Sequence, residues 1–284
     1  MLSMLKKYVG LWYSENTTER YEYTRILGTG NNGPVKEYTD RKTGEVVAVK
    51  IIDLVRMKDS YQEDQVLEYI KGKHVCFLEL KKTLIKDETI TIITESVPGE
   101  ELFDYIDKNK LLPLQHVKIL FRQIVEAMKI AHDLKISHRD LKCENMKIFF
   151  DESGNPHIKI LDWGMAVFLG SEPIHESSGS PNYVAPEVIT KLPVVGLFND
   201  VWSIGVILCI LLTKQFPIEL DKNIPDLFRN IRLYNVNYKI PGLTDGAVKL
   251  LRKIFVPHKK RITCTNMLED EWLNSEELEM RYEL

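Results

Sequence analysis

Eight consecutive residues, His138 to Asn145, combine two carboxylates, two cations and one amide between apolar segments. They read His-Arg-Asp-Leu-Lys-Cys-Glu-Asn, and a further carboxylate, Asp162, follows in Asp-Trp-Gly. Carboxylate and amide oxygens are hard ligands for divalent cations, and a positioned carboxylate can accept a proton from a reacting group. This stretch therefore predicts chemistry on a charged molecule.

Two elements must position these residues. Apolar residues recur at helical spacing from Leu114 to Leu134, which predicts a core helix leading into the loop. Residues 146–150 and 157–161 predict a hairpin after it. Such a hairpin would bring Asn145 and Asp162 together.

Length and composition set the class of protein. A chain of 284 residues forms one large domain or two lobes, and 44% hydrophobic with 28% charged residues is typical of a globular protein. A net charge of −3 disfavours a nucleic-acid-binding surface over the whole molecule. No nucleic-acid partner is expected.

The sequence does not predict a membrane protein or a secreted one. The apolar run Val206 to Leu212 is too short to cross a bilayer and predicts a buried helix. Residues 1–13 contain Lys6 and Lys7 and no small-residue cleavage site, unlike a secretory signal. The four cysteines, at 76, 143, 209 and 264, show no paired spacing, which favours reduced thiols, no zinc site and a cytoplasmic or nuclear location.

A glycine-rich stretch, Gly28-Thr-Gly30-Asn-Asn-Gly33, follows a strand-like run that starts at Tyr21. Three glycines alone are weak evidence. A dinucleotide fold needs a helix directly after them, whereas Pro34 and Val35 predict a second strand. A third, β-branched strand then carries Val-Ala-Val-Lys, ending at Lys50.

Strand, glycine loop, strand and lysine, with His-Arg-Asp and Asp-Trp-Gly downstream, resemble the eukaryotic protein kinases. The resemblance covers about residues 21–274. The wording Gly-Ser-Pro-Asn-Tyr at 179–183, with Glu-Leu-Phe-Asp-Tyr-Ile and Lys-Arg-Ile-Thr, is most similar to the calmodulin-dependent and AMP-activated serine/threonine kinases. Lys142, two residues after Asp140, is the serine/threonine signature of that family.

The resemblance implies an α+β, two-lobed kinase fold. It predicts a small β-rich N-lobe at about 21–95 and a large helical C-lobe at about 96–274. Residues 1–20 would be an N-terminal extension and 275–284 a C-terminal tail. Protein substrates are the implied partners, and the residues say nothing of oligomeric state.

The resemblance also implies roles for single residues. Asp140 would accept or orient the proton of the substrate hydroxyl, and Lys142 would stabilise the γ-phosphate of ATP. Asn145 and Asp162 would hold Mg²⁺. The implied nucleotide-binding residues are Leu27, Gly28, Gly30, Gly33, Val35, Ala48, Lys50, Glu95, Val97 and Glu101, with Thr94 as the gatekeeper.

A helical glutamate should pair with Lys50, and two candidates exist. Glu63 shares one helix face with Val66, Leu67 and Ile70 and is preferred, with Glu68 as the alternative. An ungapped match then starts the next strand at position 75. Glu63 follows Lys50 more closely than is usual in the family, so the connection must be trimmed.

Two positions depart from the family pattern in the motifs themselves. Asn32 stands where an aromatic residue usually precedes the third glycine, and Trp163 replaces the usual phenylalanine. The first change would loosen closure over the phosphates. The second leaves the metal ligand untouched.

An activation segment is expected from Asp162 to Glu187. Where related kinases commonly carry an activating phosphothreonine, this chain has Glu176, followed by Ser177 and Ser178 as candidate phosphosites. A carboxylate supplies part of a phosphate's charge for pairing with Arg139. The hypothesis is that Glu176 makes the kinase active without an upstream enzyme.

Several acidic and basic residues have implied roles outside the transfer step. Glu101 and Glu144 match positions that favour basic residues near the phosphoacceptor. Asp200 would brace the catalytic loop, and Glu187 would pair with Arg261. The implied function is transfer of phosphate from Mg-ATP to serine or threonine of proteins; the alternative is a pseudokinase scaffold that binds nucleotide or a partner.

Overall fold

The computed structural model describes residues 20–30, 33–56, 61–86, 88–170, 179–190, 196–219 and 223–275. The chain divides into two compact units, one formed by Met1–Ser60 with Glu79–Ser96 and the other by Tyr61–Leu78 with Val97–Leu284. The sequence prediction placed 61–78 in the small lobe. In this division they group with the helical unit. There the Ile160 N–H donates to the Cys76 carbonyl at 2.8 Å.

The first unit is a five-stranded antiparallel sheet, as the family resemblance predicted. Its strands are β1 (Tyr21–Gly30), β2 (Gly33–Asp40), β3 (Val46–Asp53), β4 (Leu80–Lys86) and β5 (Thr89–Glu95), in the order β1-β2-β3-β5-β4. The β-branched composition of β3 and β5 explains their place at the centre, since such side chains pack well on a pleated surface.

The pairing register decides which side chains share a face of this sheet. Lys50 lies opposite Val35 and Ile92, and Ala48 lies opposite Thr94. Because side chains alternate along a strand, these residues project from the same face. The opposite face has a core of Val47, Val49 and Ile93, against which Tyr21, Tyr38 and Leu84 pack.

The second unit is mainly helical. Its described helices are α1 (Glu63–Ile70), α2 (Leu102–Lys108), α3 (Leu114–Asp133), α4 (Pro186–Ile189), α5 (Leu197–Thr213), α6 (Ile224–Arg232), α7 (Asp245–Ile254), α8 (Cys264–Leu268) and α9 (Glu271–Asn274). Its short strands are β6 (Glu100–Glu101), β7 (Ile136–Ser137), β8 (Met146–Phe150), β9 (Pro156–Ile160) and β10 (Val167–Phe168), arranged as β6-β8-β9 and β10-β7.

Two helices form the centre of this unit. The apolar stripe of α3 is buried from Leu114 to Ala131, as its spacing predicted. Helix α5 is buried almost all round, which explains its continuous apolar sequence. Each fully buried aliphatic side chain contributes roughly 1.5–3 kcal/mol. In the described part of the chain, every helix is too short or too polar to cross a membrane.

The start of β4 differs from the sequence prediction. The strand begins at Leu80, and Val75 is an exposed turn residue. Phe77 forms an isolated bridge with Ile160 and packs against Trp163 at 5.4 Å between ring centroids. This contact keeps 71–78 in the helical unit, so the ungapped match was wrong by five positions at this point.

Candidate active site

The loop that begins at His138 is fixed from below by helix α5. Asp200 is fully buried and accepts from the backbone N–H groups of His138 and Arg139 at 2.9 and 2.8 Å. Arg139 has a φ of 70°, a conformation that needs such support outside glycine. The predicted bracing of the loop by Asp200 is therefore confirmed.

The Asp140 carboxylate, 5% exposed, is oriented by three neighbours. Its Oδ1 accepts from the N–H and the hydroxyl of Ser180 at 2.8 and 2.9 Å. Its Oδ2 lies 3.2 Å from Asn145 Nδ2 and 3.1 Å from Lys142 Nζ. Lys142 Nζ also donates to Ser180 Oγ at 2.8 Å, so Asp140 and Lys142 meet at one hydroxyl.

Asn145 and Asp162 approach each other across the β8–β9 hairpin, as the sequence predicted. The carbonyl of Asn145 accepts from the Leu161 N–H at 2.9 Å. The side-chain amide nitrogen of Asn145 donates to the Asp140 carbonyl at 2.9 Å, which turns its amide oxygen away from Asp140. Asp162 Oδ1 accepts from the Gly164 N–H at 3.1 Å.

These two residues offer the hard oxygen donors that Mg²⁺ prefers. Among the described residues no group of three or more His, Cys, Asp or Glu side chains could hold a metal ion. Magnesium commonly binds through one or two protein carboxylates and the oxygens of a phosphate ligand. The pair thus fits an ion that is shared with a phosphorylated substrate.

Glu144 of this loop interacts electrostatically with a second carboxylate, Glu101. Burial, Asp104 and Glu144 raise the pKa of Glu101, against the opposing effect of Lys142 and Lys108. Glu144 accepts from the Tyr183 hydroxyl at 2.8 Å. Because carboxylates that repel each other are relieved by a cation, this pair is suited to a positively charged group.

The sheet unit carries most of the implied nucleotide-binding residues. Lys50 is 8% exposed and shares a face with Val35, Ala48 and the predicted gatekeeper Thr94. Gly33 pairs with Gly30 at the end of the β1–β2 hairpin and has a φ of 114°, which a side chain would strain. Gly28 pairs with Val35, and the preceding Leu27 is half-buried.

The implied adenine-binding segment is held by side chains in each unit separately. Glu95 Oε1 accepts from the Glu79 N–H at 2.8 Å in the sheet unit. In the helical unit the Val97 carbonyl accepts from Lys147 Nζ at 2.8 Å. These contacts fix the direction of the backbone on both sides of Ser96.

Burial distinguishes the two candidate glutamates of helix α1. Glu63 is 3% exposed and lies on the buried face with Val66, Leu67 and Ile70, as predicted. Glu68 is exposed. A carboxylate is rarely buried without a specific role, so burial favours Glu63.

The predicted ion pair of Glu187 with Arg261 is confirmed, and the structure also places Trp163. Glu187 and Arg261 form a buried ion pair, and Arg261 Nη2 lies 3.1 Å from Glu187 Oε2. Trp163 is fully buried, donates to the Ile160 carbonyl at 3.3 Å and packs on His138 at 4.7 Å. Asn32, Glu176, Ser177 and Ser178 lie outside the described residues.

Sequence reasoning missed the contacts made by Ser180 and Tyr183. The motif Gly-Ser-Pro-Asn-Tyr indicated only the kinase group, although its serine binds both Asp140 and Lys142. The glycine directly before Ser180 was an available signal of a tight turn, and Gly179 does have a φ of 122°. No sequence signal indicated the hydrogen bond from Tyr183 to Glu144.

The first unit is a sheet with a glycine hairpin and a buried lysine, and the helical unit carries Asp140, Lys142, Asn145 and Asp162. These features define the class of protein kinases. The protein kinase domain matches residues 21–273, and the chain belongs to this family. The predicted fold class is confirmed by the sheet and the helical unit.

Relatives with serine/threonine kinase names match most of the chain. It is 35% identical over 267 residues to CBL-interacting serine/threonine-protein kinase 1 of Arabidopsis thaliana, covering 90% of this chain and 59% of that protein. It is 33% identical to serine/threonine-protein kinase SRK2A of Physcomitrium patens, covering 89% and 74%. Carbon catabolite-derepressing protein kinase of Candida tropicalis is 36% identical, covering 92% and 42%.

These relatives agree with the group indicated by the sequence wording. The chain spans little more than half the length of the two CBL-interacting relatives from Arabidopsis and rice, 59% and 56%. The similarity is therefore to their kinase portions.

Proposed function

We propose that this chain is a protein serine/threonine kinase that transfers the γ-phosphoryl group of ATP to serine or threonine hydroxyls. The supporting observation is the cluster at Asp140, where Ser180, Lys142 and Asn145 all lie within 3.2 Å of one carboxylate. In the proposed step the substrate oxygen forms a bond to the γ-phosphorus. The bond between the γ-phosphorus and the β,γ-bridging oxygen breaks, and ADP leaves. Asp140 accepts or orients the hydroxyl proton, and Lys142 stabilises the charge on the phosphoryl oxygens.

Asn145 and Asp162 are proposed to hold Mg²⁺. The bound ion would neutralise the phosphate charge and keep the leaving oxygens in place. Both residues are oriented by backbone contacts, Asn145 toward Asp140 and Asp162 by the Gly164 N–H. Their side chains therefore need little reorganisation on binding.

The nucleotide-binding residues are proposed from the family motifs. Lys50 binds the phosphates, with Glu63 as its partner, and the glycine hairpin brings backbone N–H groups to them. The proposed further contacts are Leu27, Gly28, Gly30, Gly33, Val35, Ala48, Glu95, Val97 and Glu101. The shared sheet face of Val35, Ala48 and Lys50 supports this assignment.

Asp140→Asn tests the transfer step. General-base positioning is worth about 10²–10⁴ in rate, so kcat of the variant should fall by that factor while ATP affinity is retained. The measurement is steady-state phosphorylation of a peptide, with calorimetry for ATP. Asp133→Asn, the same exchange at an exposed helix end, is the matched control. Equal kcat in wild type and Asp140→Asn would disprove the assignment.

Preference for basic peptides is part of the proposal. The pKa of Glu101 is raised by burial and by the nearby charges of Asp104 and Glu144, and a cation from the substrate would relieve this repulsion. Tyr183 holds Glu144 in place. An arginine or lysine near the phosphoacceptor is the expected ligand.

Activity without an upstream kinase is proposed from the sequence. Glu176 supplies a negative charge where a phosphate would stand, for pairing with Arg139. Ser177 and Ser178 remain candidate phosphosites.

A cytoplasmic or nuclear location is proposed from the cysteines. Cys76, Cys143, Cys209 and Cys264 all fall within the described residues, and each is a buried free thiol. Burial raises the pKa of Cys76 to about 12, which keeps that thiol protonated. Imaging of a fluorescent fusion checks the location.

The alternative function, a pseudokinase scaffold, is favoured by no observation.

A further inference from the structure

Helix α1 is short and begins with Glu63, the proposed partner of Lys50. It has eight residues, and Glu63 is the first. Preceding helical turns therefore cannot fix the side chain of Glu63. Its orientation must come from the residues just ahead of the helix or from other elements.

Tyr61 makes one such contact. Its hydroxyl donates to Glu63 Oε2 at 3.0 Å, and the phenol is half-buried. Burial, followed by the charges of Glu63, Asp64 and Asp162, raises the pKa of Tyr61 well above its usual range. The hydroxyl therefore remains a donor at any working pH, and one Glu63 oxygen is held in a defined direction.

Gln62 makes the second contact. It occupies the N-cap position but does not cap the helix with its side chain. Instead, Gln62 Oε1 accepts from the Phe168 N–H at 3.0 Å. The Phe168 ring also packs edge-on against Tyr69 of α1, at 5.5 Å between centroids.

Phe168 belongs to a strand that is tied to the catalytic loop. In β10, Phe168 pairs with Ile136 and Val167 pairs with Ser137, directly before His138. The Leu169 N–H also donates to the Lys135 carbonyl at 2.7 Å. The start of α1 is thus bonded to the same short sheet that leads into the proposed catalytic loop.

We propose that Tyr61 and Gln62 are positioning residues for Glu63: Tyr61 orients its carboxylate, and Gln62 fixes the helix start to β10. This inference rests on the proposed function, in which Glu63 is the partner of the phosphate-binding lysine. It explains how a trimmed connection from β3 can still present a glutamate in a defined direction. Neither residue touches the reacting atoms.

Tyr61→Phe removes only the hydroxyl and is the first test. Loss of a hydrogen bond to a buried charged group predicts a fall in kcat/KM for ATP of about five- to thirtyfold, with the KM for the peptide unchanged. Tyr69→Phe removes a hydroxyl from an exposed ring on the same helix and should leave both constants unchanged. A Tyr61→Phe enzyme with wild-type kcat/KM for ATP would overturn the role of Tyr61.

The Glu63→Gln background separates positioning from general stability. If Tyr61 acts through the Glu63 carboxylate, the double variant Tyr61→Phe/Glu63→Gln should have a kcat/KM for ATP at most about twofold lower than that of Glu63→Gln alone. Coupled residues are not additive, so the second change removes little that the first has not already removed. A full additive loss would contradict the proposal. Thermal unfolding of each variant checks that the fold is retained.

Gln62 is tested by backbone hydrogen exchange and by an acceptor-retaining variant. Gln62→Ala should speed exchange of the Phe168 amide several-fold and lower kcat/KM for ATP, whereas Gln62→Glu keeps an acceptor oxygen and should restore slow exchange. Unchanged exchange in Gln62→Ala would overturn the contact. The exchange measurement needs no activity.

Failure of the proposed function gives a different pattern. A wild-type protein that binds Mg-ATP but transfers nothing would refute the kinase proposal alone. The affinity for Mg-ATP in Tyr61→Phe and the exchange at Phe168 would then decide the positioning roles: weaker binding and faster exchange support them, and wild-type values reject them.

Discussion

At the scale of single residues, the buried carboxylate of Asp200 organises the loop. It accepts from the backbone of His138 and Arg139 and also lies 3.1 Å from His132 Nε2. His132 Nδ1 in turn lies 3.6 Å from the sulfur of Cys264. A histidine without any motif thus links helix α8 to the proposed catalytic loop.

This contact predicts a pH-dependent stability. Burial alone would lower the pKa of His132, but Cys264 and Asp200 outweigh it and raise the pKa to about 10. A raised folded-state pKa stabilises fully below the unfolded value of about 6.5, and this stabilisation is lost as pH rises through about 10. The free energy of unfolding should therefore fall by up to a few kcal/mol, relative to His132→Gln, between pH 7 and 10.5.

Denaturant unfolding of both proteins over this pH range is the measurement. A difference between wild type and His132→Gln that does not change with pH would show that the imidazole is not charged in the folded state.

Substrate preference is also decided by single residues. Glu144→Gln keeps an acceptor for the Tyr183 hydroxyl but removes the charge, so the KM for an arginine-containing peptide should rise about tenfold. The KM for a neutral peptide should not change. Peptide kinetics give both values, with Glu152→Gln in the exposed hairpin turn as the control. Equal effects on both peptides would refute recognition of basic residues by Glu144.

At the scale of elements, strand β8 must pass very close to the segment before β6. A Cβ at Gly99 would lie 2.0 Å from the carbonyl oxygen of Ile148, and Gly99 has a φ of 82°. The adjacent pairing of Glu100 with Ile148 fixes this approach. Any side chain at position 99 would push β6 away from β8, the strand that follows Asn145.

Gly99→Ala therefore has a predictable effect on stability. The left-handed conformation costs about 1–2 kcal/mol for alanine, and displacement of β6 should bring the total to roughly 2–4 kcal/mol. Gly154→Ala has a similar φ of 80° and open space around it, so it should show the conformational cost alone. Thermal or denaturant unfolding measures both, and equal losses would mean that the approach to Ile148 is relaxed at little cost.

At the scale of the whole molecule, the proposed work is divided between two compact units. The sheet unit supplies Lys50 and the glycine hairpin, and the helical unit supplies the residues around Asp140. The state of the activation segment is then expected to decide activity. Glu176 is the proposed substitute for a phosphate there.

Because Glu176 is proposed to replace an activating phosphate, a phosphate-free preparation from bacteria should be active. Glu176→Gln should lower kcat at least several-fold because it removes the charge that is proposed to pair with Arg139, while Ser177→Ala and Ser178→Ala should retain activity. Mass spectrometry confirms the absence of phosphate, and peptide phosphorylation gives kcat. An inert preparation that gains activity once Ser177 or Ser178 is phosphorylated would contradict the proposal.

The sequence by itself determined the family, the α+β fold, the β-branched strands of the sheet and the buried face of Glu63. Each depends on neighbours along the chain, through periodicity or through motifs of fixed spacing. It also predicted that Asn145 and Asp162 meet, because a hairpin brings its two ends together. The sequence did not indicate that 61–78 contact the helical unit, since the bridge of Phe77 with Ile160 joins residues far apart in the chain.

Only the tertiary structure decided which side chains orient the site. These side chains make contacts between different elements. The contacts are those of Ser180 with Asp140, Tyr183 with Glu144, Gln62 with Phe168 and Cys264 with His132. Hydrogen bonds of this kind depend on distances of about 3 Å, which are set by the packing of whole helices and strands. No local pattern in the sequence encodes such distances.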